Sequence, residues 1–170
     1  MMTSILHAPK PIIASIQGIA SAAGCQLVSA CDLAIASEDA TFCTPGVNIG
    51  AFCTTPLVGI GRNLSRKHAL EMALTGDQFD AATAERFGLI NRSVPASELE
   101  QATQELASKI ASRSAESIAR GKSAFYQQVE MPLDKAFELA NQVMRDNLTS
   151  DGDAHEGIGA FLEKRDPEWG

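Results

Sequence analysis

The order of apolar and polar positions divides the chain into two textures. Up to about residue 53, apolar residues come in short runs closed by glycine, proline or small polar residues. Ile12, Ile13, Ala14, Ser15 and Ile16 read as a short buried strand closed by Gly18. Residues 18–24 are then a run of small side chains, which let backbone approach backbone or a ligand closely. Residues 26–31 have the apolar content of a buried helix ended near Asp32, and residues 33–37 and 40–43 read as two further strands. A loop marked by Pro45, Gly46 and Gly50 comes next, and loops on a rigid scaffold are where chemistry tends to sit.

From Thr54 onward the alternation disappears and apolar residues recur at helical spacing with charges between them. Ser65 is the expected N-cap of a helix over residues 66–74 stopped by Gly76; residues 81–87 form a short helix stopped by Gly88; residues 89–94 are extended. Residues 97–112 place Leu99, Ala102, Leu106 and Ile110 on one face, and Ala115, Ile118, Ala119, Lys122 and Phe125 repeat that pattern. Pro132 opens a helix over residues 133–148 with Phe137, Ala140 and Met144 turned inward, and a last helix is expected over residues 154–165. The organisation is an α/β layer followed by a long helical tail.

Composition narrows the function classes. A chain of 170 residues, 45% of them hydrophobic, can bury one ordinary core. Its 14 basic and 21 acidic residues leave a net charge of -7, and the basic ones do not gather into a run that could track phosphates, so no nucleic-acid partner is expected. Apolar stretches such as 11–16 and 33–36 are too short to span a bilayer, and the start lacks the basic-then-apolar layout of a signal peptide. The expectation is a cytoplasmic protein with no membrane partner, a mitochondrial address staying open if more chain precedes Met1. Cys25, Cys31, Cys43 and Cys53 show no two-residue spacing, and His7, His68 and His155 are scattered, so no metal site is expected. The cysteines read as small buried apolar residues, with Cys53 the candidate for a reactive thiol because of its loop.

Three stretches carry a resemblance. Residues 10–27 read Lys-Pro-Ile-Ile-Ala-Ser-Ile-Gln-Gly-Ile-Ala-Ser-Ala-Ala-Gly-Cys-Gln-Leu, and Cys31-Asp32-Leu33 follows. The segment Leu70-Glu71-Met72-Ala73-Leu74-Thr75-Gly76 and the Ala-x-x-x-Gly-Leu-Ile pattern of residues 84–90 come next, and residues 156–165 close with Glu-Gly-x-x-Ala-Phe-x-Glu-Lys-Arg. Together they resemble the enoyl-CoA hydratase/isomerase (crotonase) family over nearly the whole chain. Within that family, the turn at residues 22–27 and the loop Thr44-Pro45-Gly46-Val47-Asn48 resemble one subgroup. The resemblance implies a crotonase-like ββα spiral of which this is the C-terminal portion, with a partial core in residues 1–95. It also implies a helical region in residues 96–170 that makes trimers or hexamers. Met1 falls inside what the family makes a helix, so the chain looks like the product of a shortened reading frame, missing strands and one half of the ligand site; strands without neighbours leave open edges.

What the resemblance implies for chemistry is specific. Two main-chain N–H groups of the family hold an acyl-CoA thioester oxygen; one donor corresponds to Ala23 and the other lies before Met1. The ligand is the CoA thioester itself, and no further cofactor is implied. Hydration of a 2,3-enoyl thioester uses two glutamates, whose positions are taken here by Gln26, which cannot gain or lose a proton near neutral pH, and by Gly46, which has no side chain. Glu38 and Asp39 fall in a predicted surface turn and Asp32 ends a helix, so none obviously substitutes. Thr44, Asn48, Cys53 and Thr54 could line the pocket or merely satisfy loop backbone. Phe161 and Lys164 correspond to the terminal-helix contacts with the CoA adenine and phosphates, and their spacing of three puts them on one helix face. Three functions stay open: an acyl-CoA-binding protein without ordinary hydratase activity, a non-catalytic oligomeric interaction protein with an incomplete pocket, and an enzyme of another crotonase reaction such as thioester hydrolysis or double-bond migration.

Overall fold

Short β-branched runs and small-residue corners fold into a layered first half, as a computed structural model of residues 1–149 and 152–170 describes. The elements belong to two units, Met1–Leu6 with Ile12–Ala107 and His7–Pro11 with Ser108–Gly170.

In the first unit, helix α1 (Met2–Leu6) precedes strand β1 (Ile13–Ile16), β2 (Ile19–Ser21), helix α2 (Ala23–Ala30), β3 (Leu33–Ser37) and β4 (Thr41–Cys43). A 3₁₀ turn (Pro45–Ile49), α3 (Thr54–Asn63), α4 (Arg66–Thr75), β5 (Phe79–Asp80), α5 (Ala81–Phe87), β6 (Arg92–Val94) and α6 (Leu99–Ala111) continue the chain. The strands sort into two sheets. β1, β3 and β6 form one, parallel throughout, with Ile13 opposite Leu33 and Ile35 opposite Arg92. β2, β4 and β5 form the other, in which β2 and β4 run parallel and β5 closes antiparallel on β4. Each ββα passage therefore adds one strand to each sheet, and the chain spirals. β3 is central and buried from Ala34 to Ser37, which explains its unbroken apolar sequence: a strand covered on both faces has no reason to alternate.

Polar side chains fasten these layers. Asp32 Oδ2 accepts the Ile12 N–H at 2.7 Å, and Asn91 Oδ1 accepts that of Ala34 at 2.8 Å. The buried Thr44 hydroxyl donates to the Met72 carbonyl at 2.8 Å. Between α2 and α3 the backbones come close at Gly59, where a Cβ would collide with the Ser29 side chain. The core joins Cys25, Ile35, Phe42, Ile60 and Met72, all at most 1% exposed.

Helix ends obey the sequence closely. Ser65 caps α4 by accepting the His68 N–H at 3.3 Å, and Gly76 and Gly88 close α4 and α5 in the left-handed conformation. Three expectations need correction. The small-residue stretch 18–24 contains β2; its three residues pair with residues 41–43, a partner that no local pattern reveals. Helix α2 begins three residues earlier than residue 26, because glycine and alanine at its start carry no apolar signal. Only Arg92–Val94 of the extended segment 89–94 pairs as strand.

The second unit comprises α7 (Ala115–Gln128), α8 (Leu133–Thr149) and α9 (Asp153–Glu163), with the last turn of α6. Lys122 Nζ donates to the Lys10 carbonyl at 3.2 Å, tying residues 7–11 to it. Ser114 caps α7 by accepting the Ser117 N–H, and Glu116 accepts the N–H of Asp153 at 3.2 Å, fixing the start of α9. The expected inward faces of α7 and α8 are a further correction. Phe125, Phe137 and Met144 are 56%, 62% and 59% exposed, and with Leu133, Ala136 and Val143 they line an open groove of about 450 Å³. The periodicity correctly marks an apolar stripe, but two helices packed on each other cover only part of it.

Candidate functional site

The corner between β2 and α2 is built by one strained residue. Ala22 adopts φ 46° and ψ -102°, one of two positive-φ residues other than glycine among the described residues, and its N–H donates to the Cys43 carbonyl at 2.9 Å. A side chain in this region of backbone space is disfavoured, which holds only where surroundings over-determine it. Here they do: Cys25 Sγ, two residues into the helix, donates to the Ala20 carbonyl at 2.9 Å and approaches that of Cys43 at 3.4 Å. Burial pushes the Cys25 thiol up to about 12, so this cysteine is a structural donor. Space is not what the flanking glycines supply, since a Cβ at Gly18 meets nothing and one at Gly24 lies 3.7 Å from Ala20.

The consequence is a first helical turn aimed outward. Ala23 is exposed at the first position of α2, and its N–H has no acceptor among the described residues, as helix geometry dictates for a first-turn donor. The positive end of the helix dipole lies at the same point. Gln26, one turn on, is half-buried; its backbone N–H closes on Ala22 O at 3.0 Å, and its side-chain amide makes no hydrogen bond with a described residue.

Gly46 comes three residues after Cys43, whose carbonyl holds Ala22, in the 3₁₀ turn that follows β4. Its surroundings are full. A Cβ built there would lie 3.0 Å from Cys53 Sγ, 3.2 Å from Cys53 N and 3.4 Å from the Ala51 carbonyl carbon. Thr54 opens α3 and is exposed, with its N–H on the Phe52 carbonyl at 2.8 Å. The structure thus joins Ala22 to the end of β4 through the Cys43 carbonyl and sets Cys53 against Gly46 in the loop that follows. Thr44 is drawn away into the core, and Asn48 turns toward Gly76, where a Cβ would meet its Oδ1 at 2.9 Å. Carboxylates stay elsewhere: Asp32 holds Ile12, while Glu38 and Asp39 are exposed in the turn after β3. No cluster of metal-ligating side chains occurs among the described residues.

In the second unit, Phe161 is 80% exposed, so it is not a core residue of this chain. Lys164 sits one residue beyond the last turn of α9, in the left-handed conformation at φ 57°, which corrects the expectation of a shared helical face. Beyond Lys164 the tail folds back as a clasp. Arg165 grips Glu156 through both oxygens at 2.6 and 2.9 Å, the Glu168 N–H adds a third bond at 2.9 Å, and Trp169 Nε1 donates to the Ser112 carbonyl at 3.0 Å. The Arg165 guanidinium and then the Glu168 N–H bring the Glu156 carboxyl down to about 2. A depressed carboxyl stabilises the fold at pH values above its unfolded range and loses that contribution as pH falls toward 2. Arg165→Ala is expected to return Glu156 toward its ordinary 4.5 and to move acid loosening of the tail upward in pH; NMR titration of the Glu156 carboxyl carbon measures this. A titration unchanged by the substitution contradicts the clasp.

Sequence reasoning singled out Ala23 and Gln26 and gave no sign of the positive φ at Ala22, since an alanine carries no mark of that region as a glycine would. It also missed that the sulfur of Cys53 fills the space at Gly46, a contact across seven residues with no periodic trace.

Comparison with known proteins gives a consistent result. The sequence pattern described as enoyl-CoA hydratase/isomerase matches residues 1–170. The chain is 50% identical over 169 residues to the mitochondrial enoyl-CoA hydratase domain-containing protein 3 of Rattus norvegicus, covering 99% of this chain and 56% of that protein. It is 47% identical to the Homo sapiens protein of the same name, covering 55% of it. Among solved structures, an enoyl-CoA hydratase of Mycobacterium smegmatis superposes with a TM-score of 0.96 at 45% identity, over 99% of this chain and 65% of that one. The human domain-containing protein 3 gives 0.95 at 48% identity, over 99% and 66%. The chain therefore spans little more than half the length of these curated relatives.

Proposed function

We infer that this chain, which belongs to the enoyl-CoA hydratase/isomerase family, holds an acyl-CoA thioester through the main-chain N–H of Ala23 and does not carry out ordinary hydration. The observation that carries this reading is the N–H of Ala23 at an exposed helix start, without an acceptor among the described residues, with an amide at Gln26 one turn on. A thioester oxygen gains a preorganised donor and the dipole's positive end. Gln26 orients the bound group by hydrogen bonding but moves no proton. Thr54 offers an exposed hydroxyl at the start of α3, and in the second unit Phe161 and Lys164 offer an exposed aromatic face and a cation, the pair of groups that a nucleotide takes.

Assembly is part of the proposal. The apolar groove between α7 and α8 and the unpaired edges of β1 and β2 both favour a homo-oligomer, a trimer or hexamer, over an isolated chain. No helix among the described residues is long and apolar enough to cross a membrane. The names of the relatives favour a mitochondrial setting as the alternative to a cytoplasmic one, and cell fractionation decides between them.

Ala23→Pro is the direct test, because proline at the first helical position removes the donor without breaking an intrahelical bond; it also restricts the residue before it, the strained Ala22, so the fold of the variant is checked alongside. The variant is expected to bind butanoyl-CoA about three- to tenfold more weakly, one neutral hydrogen bond's worth, and free CoA unchanged, since CoA lacks the carbonyl. Calorimetric titration with both ligands reads the difference, with the unfolding midpoint checking that the variant folds. Equal affinities for wild type and variant would sink the reading. A second reading, a non-catalytic interaction protein with a vestigial pocket, is favoured by the open apolar groove between α7 and α8 in the second unit. It predicts no saturable binding of either ligand at millimolar concentration.

A further inference from the structure

We propose that Cys53 sets the specificity of the corner. Its sulfur crowds the place where a side chain at position 46 would begin, so a soft apolar wall stands where a water-holding group would extend. Acyl thioesters with a plain β-methylene are thereby selected over 3-hydroxyacyl thioesters. The proposal rests on the acyl-thioester reading above and names the ligand class within it.

The loop is shaped to bring sulfur and glycine together. Gly50, at φ 75°, turns the chain back, and the Ala51 N–H closes on the Gly46 carbonyl at 2.9 Å. Residue 53 thereby returns to position 46 as α3 begins, with its sulfur 3.0 Å from where a Cβ would be and its own backbone nitrogen slightly further off, at 3.2 Å. A separation of 3.0 Å is well inside ordinary contact between carbon and sulfur, so any side chain at 46 must displace the thiol before it reaches solvent or ligand. A carboxylate there would also be stripped of water against sulfur and backbone, which is costly without a charged partner. Of the acids near α2 and β4 in sequence, Asp32 bonds Ile12, and Glu38 and Asp39 lie in the exposed turn.

The chemistry rests on what a thiol does. It is a weak donor and a weak acceptor, so it neither holds an attacking water nor satisfies a ligand hydroxyl as an oxygen acid does. Hydration places its new oxygen on the β-carbon, and a wall of sulfur beside that carbon leaves such an oxygen unpaired. The other two thiols at the corner do not share this role, because Cys25 and Cys43 are buried, whereas Cys53 is half-buried at the loop's end.

Two measurements test the proposal. In an unfolding cycle, Gly46→Ala is expected to lower the midpoint by about 4–8 °C through overpacking. Adding Cys53→Ala is expected to recover at least half of that loss; strictly additive losses overturn the packing relation whatever the ligand does. In a binding comparison, the wild type is expected to prefer butanoyl-CoA over 3-hydroxybutanoyl-CoA by about tenfold, and Cys53→Ser, which adds a competent hydrogen-bonding oxygen, to reduce that preference to about threefold. An unchanged ratio overturns the specificity role. A wild type that binds neither thioester overturns the acyl-thioester reading and the ligand half of this proposal with it, while the unfolding cycle still decides the packing half.

Discussion

Hydration of a short 2-enoyl-CoA by this chain is expected to run at least about four orders of magnitude below that of a family member with both carboxylates. A positioned proton-transfer group contributes roughly 10²–10⁴-fold, and the family resemblance puts Gln26 and Gly46 at the positions of two such groups. Four orders of magnitude correspond to about 5.5 kcal/mol of transition-state stabilisation. Loss of the enoyl chromophore under excess protein measures the rate. Gln26→Glu alone is expected to leave it near background, because the second group is still missing and its place is filled by Cys53. A rate within tenfold of a hydratase would mean that an acid outside the corner serves, and would remove the assigned roles of both positions.

Phe42→Ala is expected to cost about 3–5 kcal/mol of stability, a large part of the roughly 5–15 kcal/mol that holds an ordinary domain folded. Phe42 is fully buried, and β4 is the middle strand of its sheet, pairing with β2 through Ala20 and with β5 through Phe79. Its loss opens a cavity where three strands and the core meet, and the end of β4 carries the Cys43 carbonyl that fixes Ala22. The proposed binding corner at Ala22 and Ala23 should therefore loosen together with the core. Urea unfolding followed by far-ultraviolet circular dichroism gives the cost; a loss below about 1 kcal/mol would show that the site collapses around the gap, against the packing described here.

The features legible in the sequence were those decided by local physics. Ser65, Gly76 and Gly88 announced their helix ends because capping and left-handed closure are decided within a few residues. β3 was legible as a continuous apolar run because both its faces are buried. β2 was not, because three residues among alanines and serines become a strand only through pairing with β4, twenty-two residues away. The exposure of Phe125, Phe137 and Met144 was illegible for a related reason: periodicity states which face is apolar, not what covers it. At the corner, the resemblance led to Ala23, Gln26 and Gly46, whereas the strain at Ala22 and the sulfur beside Gly46 depend on chain segments that meet only once folded.

The tail that docks Trp169 on Ser112 has an optical consequence. The single tryptophan and the single tyrosine, Tyr126, both belong to the second unit, and the first unit holds neither. Indole emission thus reports the helical half alone, while the half that carries the β2–α2 corner is dark to it. A melt followed by both emission and backbone dichroism would resolve whether the two halves lose their structure as one event or as two, with no label added.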